Sequence, residues 1–268
     1  MPAVGIVVHP ARFAAAELAE ASRKWWTEAG YDVVNLGETV PPVTDDLVLA
    51  ISLGGDGTML RTVELVCPIG TPVLGVNLGA MGYLTEVEPE GIEGAFERFV
   101  AGDYQVAERM TLAVAVEGRA SLVGLNEAVV EKVAPGRTVR LEVGISGKRF
   151  ISYVADGLII ATPTGSTAYN LSARGPIVSP SLRAMVLTPI SPHMLFDRSL
   201  VLDPDEWVSI RLVSDGTAVL AVDGSVSVEL EAGQEVEVRA ARRPARLVTF
   251  GRHDFHAILR AKFGLSDR

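Results

Sequence analysis

Three segments of the 268-residue sequence carry side chains spaced for chemistry. The first is Gly54-Gly55-Asp56-Gly57-Thr58, between an apolar run, Leu47 to Leu53, and a helical pattern, Thr58 to Val66. Three glycines let the main chain bend and approach a ligand with no Cβ in the way. A helix start adds unpaired N–H groups and the positive end of its dipole, and the Thr58 hydroxyl can cap it. At the carboxyl end of a parallel strand, where open α/β sheets bind ligands, this makes a phosphate cradle. It is neither a Walker A loop, lacking the Gly-Lys-Ser/Thr ending, nor G-x-G-x-x-G. The bland alternative is a tight strand-to-helix turn with a solvated aspartate. Asp56 would repel a phosphate beside it, so it makes sense as a partner for Mg²⁺ or as acceptor of a hydroxyl proton. A carboxylate with an ordinary pKa of about 3.9 makes little alkoxide from an alcohol. It can take the proton late, as the oxygen attacks a loose, metaphosphate-like phosphoryl group. The chemistry implied is phosphoryl transfer to an alcohol, with Asp56 as base or orienting group.

The second segment, Asp156 to Ser181, holds Thr162, Thr164, Ser166, Thr167, Tyr169, Ser172, Ser179 and Ser181, with Asn170 among them. Many neutral hydrogen-bonding groups and an aromatic face suit a nucleoside. An ordinary Ser/Thr-rich loop is the other reading. The third is Asn126-Glu127 inside the apolar SLVGLNEAVVEKV. Alternation along a strand turns one of the pair inward, and a buried Glu needs partners. Ribose hydroxyls would serve, and a strand-end turn is the alternative.

The elements around these segments change character along the chain. Val4 to His9, Tyr31 to Asn35, Leu47 to Leu53 and Pro72 to Asn77 read as strands. Between and after them, Arg12 to Ala29, Thr58 to Val66 and Glu90 to Ala101 read as helices, and Pro41-Pro42 marks a loop. Such alternation predicts a parallel sheet covered by helices. After Gly102 come short runs from Leu112 to Val116 through Val236 to Ala240, with one helix near Ser166 to Ala173. These predict an all-β region of two packed sheets. The expected fold is therefore an α/β Rossmann-like N-terminal domain, residues 1–102, plus an all-β, sandwich-like C-terminal domain, residues 103–250. The tail, 251–268, is helical from His253 to Phe263 and is expected to dock on the first domain.

Composition narrows the function. Lys and Arg number 24 against 33 Asp and Glu, a net charge of −9. The first 102 residues carry all of it, with 5 basic and 14 acidic residues. General nucleic-acid binding is therefore not expected, and an anionic ligand must be held by amides, a metal ion or a few cationic side chains. One cysteine, Cys67, excludes an intrachain disulfide and fits a reducing cytoplasm. The opening MPAVGIVVHP has no basic n-region and reads as no signal peptide, and no apolar stretch approaches the ~18 residues of a membrane helix.

The three segments, in this order and spacing, resemble the NAD kinase family. The likeness runs from Gly5 through GGDGT and LGAMGYLTEV to PHMLFDRSLVL, with TPTGSTAYNLSARGP its most specific stretch. GGDGT alone also occurs in diacylglycerol and sphingosine kinases. The resemblance implies transfer of phosphate from ATP or polyphosphate, with Mg²⁺ carried by the nucleotide rather than by a dedicated protein site, to the adenosine ribose 2′-hydroxyl of NAD. It implies that Asp56 accepts the proton and that Gly54, Gly55, Gly57 and Thr58 form the phosphate-donor loop. It places Gly57, Arg61, Asn126, Glu127, Arg137, Asp156, Thr167, Ala168, Tyr169, Asn170 and Ser172 against NAD. It also implies a cleft between the domains and a homodimer or homotetramer whose neighbouring subunit often completes the NAD site. Two positions depart from the family pattern: Val154 stands where many members have a basic residue, and Ser225, two after Asp223, where some have Gln. A lipid kinase sharing GGDGT, or a non-catalytic NAD or ATP sensor, would use the same scaffold.

Other residues have structural readings. His9, His193, His253 and His256 have no metal-ligand spacing, though His9, at the end of the first strand, could line a cleft. Cys67 reads as a packed thiol. Trp25 and Trp26 cannot share one helix face. Glu86, Glu88, Glu90 and Glu93 read as a solvated face.

Overall fold

A computed structural model describes residues 1–37, 46–79, 82–117, 119–133, 136–214, 216–224, 226–251 and 254–265. Pro41-Pro42, Ser225 and the expected helix start at His253 lie outside the described residues. The chain begins β1 (Ala3–Val8), α1 (Phe13–Glu28), β2 (Asp32–Asn35), β3 (Leu47–Gly54), α2 (Asp56–Val66), β4 (Val73–Asn77), α3 (Ile92–Val100), β5 (Gln105–Arg109). It continues β6 (Leu112–Val116), β7 (Leu122–Gly124), β8 (Glu127–Lys132), β9 (Val139–Ile145), β10 (Lys148–Ala155), β11 (Gly157–Ala161), α4 (Tyr169–Ser172), β12 (Met185–Ile190), β13 (Leu200–Leu202). Then come β14 (Trp207–Leu212), β15 (Ala218–Val222), β16 (Val226–Leu230), β17 (Glu235–Ala240), β18 (Ala245–Thr249) and α5 (Phe255–Phe263). Two compact units form: Met1–Glu108 with Ala245–Arg268, and Arg109–Pro244.

The first unit is built on one sheet, ordered β2-β1-β3-β4-β18-β5. β1, β2, β3, β4 and β18 pair in parallel. β3 is buried along nearly its whole length, as its unbroken apolar run requires. α1 buries Ala15, Ala19, Ser22 and Trp26, spaced four, three and four apart on one face. Trp26 is fully buried against Tyr31, Phe96 and Phe99, while Trp25 is half-buried against Phe96. From β1 the chain crosses to β2 on one side, and from β3 to β4 on the other. The carboxyl ends of β1 and β3 therefore form the topological switch point, where the crossovers diverge and leave a crevice.

Residues 103–108 and 245–250, expected in the β-rich half, belong to the first unit. β18 pairs Leu247 with Val73 and buries Ala245, Leu247 and Val248. A short apolar run does not say which sheet it will join. Glu86 is no solvated charge, since its Oε1 accepts the Phe250 N–H at 2.9 Å. α2 begins at Asp56, two residues earlier than expected, after Gly55 in an extended conformation. No side chain caps α2, so Thr58 sits inside the first turn rather than at the cap.

The second unit is a sandwich of two antiparallel six-stranded sheets, β10-β9-β14-β17-β6-β7 and β13-β12-β11-β8-β15-β16. Alternate residues of both sheets, such as Val114, Leu141, Val143, Leu158, Ile160, Leu220 and Val238, form its core. The helix expected over 166–173 is broken: a 3₁₀ turn, Thr164–Thr167, precedes α4, and Ala168 between them is non-helical (φ −95°, ψ −128°).

Candidate active site

In the first unit the chemistry gathers at the switch point. Asp56, the first residue of α2, turns its carboxylate to a neighbouring loop. Oδ2 accepts the Tyr83 N–H at 2.9 Å and Oδ1 the Leu84 N–H at 3.1 Å. A Cβ on Gly82 would collide with Oδ1, so only glycine lets the loop come this close. Each carboxylate oxygen keeps lone-pair capacity for a further hydrogen. The Tyr83 phenol is pushed up by burial and then by the Asp56 charge.

Beside the glycine loop lies a hollow of about 360 Å³ lined by Val8, His9, Pro10, Arg12, Gly55, Gly57, Thr58 and Arg61. A second hollow, about 370 Å³, shares Val8, His9, Pro10, Arg12 and Arg61 and continues to Asn35, Leu36 and Gly37. The Thr58 and Met59 amides reach the Gly55 carbonyl at 3.0 and 3.1 Å. Helix geometry leaves the Asp56 and Gly57 amides without an intrahelical acceptor. Arg61 Nη2 donates to the Gly37 carbonyl at 2.7 Å, and the Arg12 guanidinium lies beside Gly79. Arg12 and Arg61 are two of only five basic residues in the first 102. They give an acidic unit a local positive pocket suited to phosphates. Arg12 was not singled out from sequence, where it reads as an ordinary start of helix.

In the second unit, the Asp223 carboxylate accepts the Leu125 amide at 2.7 Å, the Asn126 amide at 2.7 Å and the Glu127 amide at 3.1 Å. Asp223 sits at φ 51° and Gly224 at φ 69°, both in the left-handed region, in the loop between β15 and β16, whose Val222 and Val226 pair. Its carboxyl is pushed up by burial and drawn back by the three amides. The turn sets the entry to β8 and directs Glu127 inward, where only 6% of it is exposed. Glu127 Oε2 has no partner among the described residues. Burial first, then the Asp223 charge, raises its carboxyl to about 7, and the Tyr169 amide pulls it down in part.

The Tyr169 ring is partly exposed, with its hydroxyl 3.3 Å from Glu131 Oε2. Burial is the largest cause raising its phenol, followed by the Glu131 charge. Asp156 forms an ion pair with Lys132 at 2.5 Å, so its cationic partner comes from the adjacent strand rather than from position 154. Thr167 and Ala168 are half-buried, and Ser172 is exposed.

The geometry thus yields two clusters: Asp56, the glycine loop and Arg61 in the first unit, and Asn126, Glu127, Asp156 and residues 167–172 in the second. Residues 35–104 match the family model of the ATP-NAD kinase N-terminal domain, and residues 125–250 that of the ATP-NAD kinase C-terminal domain. An NAD kinase of Heliobacterium modesticaldum is 42% identical over 98% of both chains.

This chain belongs to the NAD kinase family.

Solved NAD kinase folds superpose on it: yeast NADH kinase complexed with NADH has a TM-score of 0.87 at 23% identity, covering 100% of this chain and 89% of the other. The Archaeoglobus fulgidus NAD kinase in complex with ATP has a TM-score of 0.78 at 24% identity, covering 97% and 98%. At those identities the likeness is one of fold.

Within this NAD kinase chain, several expected ligand groups are used internally. Asn170 is fully buried: its Nδ2 donates to the Ser166 and Pro176 carbonyls at 3.0 Å, and its Oδ1 accepts from Thr188 at 2.7 Å. Its side chain holds the 166–176 segment in shape instead of facing a nucleoside. Ser166 and Thr162 are likewise buried, with hydroxyls donating to Pro163 and Leu125 carbonyls. Composition shows hydroxyls but not which way they point. Arg137 is exposed, and no hydrogen bond or ion pair among the described residues holds it. Asp223 is the residue that sequence reasoning undervalued; its Asp-Gly signal marks a turn, not the amides ~97 residues earlier that it binds.

Proposed function

We propose that the chain transfers a phosphoryl group from ATP or polyphosphate to the adenosine ribose 2′-hydroxyl of NAD, giving NADP. The single observation carrying this reading is the carboxylate of Asp56, oriented by the Tyr83 and Leu84 amides and set in the chain between Gly55 and Gly57, which line a hollow together with Arg12 and Arg61. Asp56 accepts the hydroxyl proton on a free lone pair as the oxygen attacks. The glycine loop, the α2 amides and the two arginines hold the donor phosphates and take up the charge that builds on them. We assign Arg61 to the donor rather than to NAD, because it lines the same hollow as the glycine loop.

The donor set of the hollow, guanidinium groups and main-chain amides, fits phosphates rather than a bare cation. A divalent ion such as Mg²⁺ therefore enters on the donor, where it screens phosphate charge.

In the second unit the unpartnered Glu127 Oε2, Asn126, Asp156 and the exposed Tyr169 ring are the groups we assign to NAD, with Thr167, Ala168 and Ser172 beside them. A ribose hydroxyl donating to Glu127 would satisfy that buried oxygen. Exposed Leu195 and Val201, near edge strand β13, give a second copy an apolar surface, in keeping with a homodimer or homotetramer. A single cysteine, Cys67, buried in the first unit, suits a cytoplasmic setting. Net negative charge leaves nucleic acid out of the reading, and no helix among the described residues is long and apolar enough to cross a membrane.

The test is NADP formation from NAD, Mg²⁺ and either ATP or polyphosphate. Asp56→Asn should lower kcat by roughly a hundredfold or more while NAD affinity stays within about threefold. An Asp56→Asn protein as active as wild type would overturn the reading.

A further inference from the structure

We propose that helix α5 is a positioning element for Asp56, acting through Tyr83; this rests on the reading of Asp56 as proton acceptor. The carboxylate has no orientation of its own. It is set by two main-chain amides, so its aim depends on where the backbone of residues 82–84 lies. The Tyr83 side chain in turn meets the C-terminal helix. The Phe255 ring stands 6.4 Å from the Tyr83 ring at 47°, and Lys262 Nζ lies 4.4 Å above the same ring. Phe255 and Lys262 are seven residues apart, two helical turns, and so share a face.

α5 is built to present that face. Asp254 caps its start by accepting the His256 and Ala257 amides at 2.9 and 3.2 Å, and Gly264 closes its end in a left-handed conformation. Lys262 lies in the last turn, where a cation also suits the helix dipole. None of the side chains of α5 is buried, so the helix adds little to the core of its unit. Its contacts bear on the residue whose amide holds the reacting carboxylate. Small displacements of a positioned group cost rate steeply, which makes a surface contact of this kind visible in turnover.

Full-length Phe255→Ala, Lys262→Ala and the double variant test this, with Lys262→Arg as the conservative variant and His256→Ala, 82% exposed on the same helix, as control. Thermal midpoint, kcat and KM for NAD and ATP are measured with Mg²⁺. The double variant should lose about tenfold in kcat with KM for NAD within about twofold and an unchanged midpoint. Lys262→Arg should recover most of the rate, since a guanidinium also stacks on an aromatic face. Unchanged kcat in the double variant overturns the proposal. So does a loss shared with KM or matched by a lower midpoint, which marks a merely structural helix. A wild-type chain making no NADP overturns the reading of Asp56 first, and the inference with it.

Discussion

Glu127→Gln isolates a buried charge. In the folded chain the Glu127 carboxyl is raised from an ordinary 4.5 to about 7, by burial and then by the Asp223 charge. Below pH 4.5 the group is protonated in both folded and unfolded chains and does not affect stability. As pH rises toward about 7 the unfolded chain gives up its proton and the folded chain keeps it, so the folded state binds more protons and stability falls. Above about 7 both forms are ionised and the loss is complete. A gap of about 2.5 pH units, at about 1.4 kcal/mol each, amounts to about 3 kcal/mol. Glutamine keeps the shape without the charge. Urea unfolding of wild type and Glu127→Gln at several values from about pH 5 to about pH 8 should give stability curves that diverge, the variant gaining up to about 3 kcal/mol at the alkaline end. Subtracting the curves removes every carboxylate the two proteins share. NAD, by donating a hydroxyl to Oε2, should lower the carboxyl's affinity for its proton. Calorimetry near about pH 7 in buffers of different ionisation enthalpy should then show protons released on binding to wild type and not to the variant. Parallel stability curves would refute the reasoning, because they would mean that Glu127 is ionised in the folded protein at no cost.

Arg12→Ala should raise KM for ATP about tenfold and leave KM for NAD within about twofold, since a guanidinium–phosphate contact contributes about 1–2 kcal/mol at a partly exposed site; steady-state kinetics with each substrate varied in turn checks this. Asp223→Asn replaces a carboxylate that accepts three amides with a group offering one oxygen. It should cost about 2–3 kcal/mol in urea unfolding and shift the Glu127 carboxyl downward, read by carboxyl NMR titration.

What could be read in the sequence was local. The unbroken apolar LVLAISL called for a strand covered on both faces, and β3 is one. GGDGT marked a strand-to-helix turn able to admit phosphate, and alternation turned one of Asn126-Glu127 inward. Each of these signals lies within a few residues of its effect, because backbone conformation and side-chain periodicity are set by near neighbours. Other features depend on partners far along the chain. Asp56 is aimed by amides 27 and 28 residues away, Arg61 leans on a carbonyl 24 residues back, and Asp223 fixes the turn at 125–127. β18 joins a sheet whose other strands lie more than 130 residues earlier. Even the direction of each hydroxyl in 156–181, internal for Thr162 and Ser166, follows from which carbonyls the packed sheet leaves nearby. The sequence by itself determined the elements and the residue types available for phosphoryl transfer. Tertiary structure alone decided where each polar group points, because hydrogen bonds close only when distant segments are brought within about 3 Å of one another.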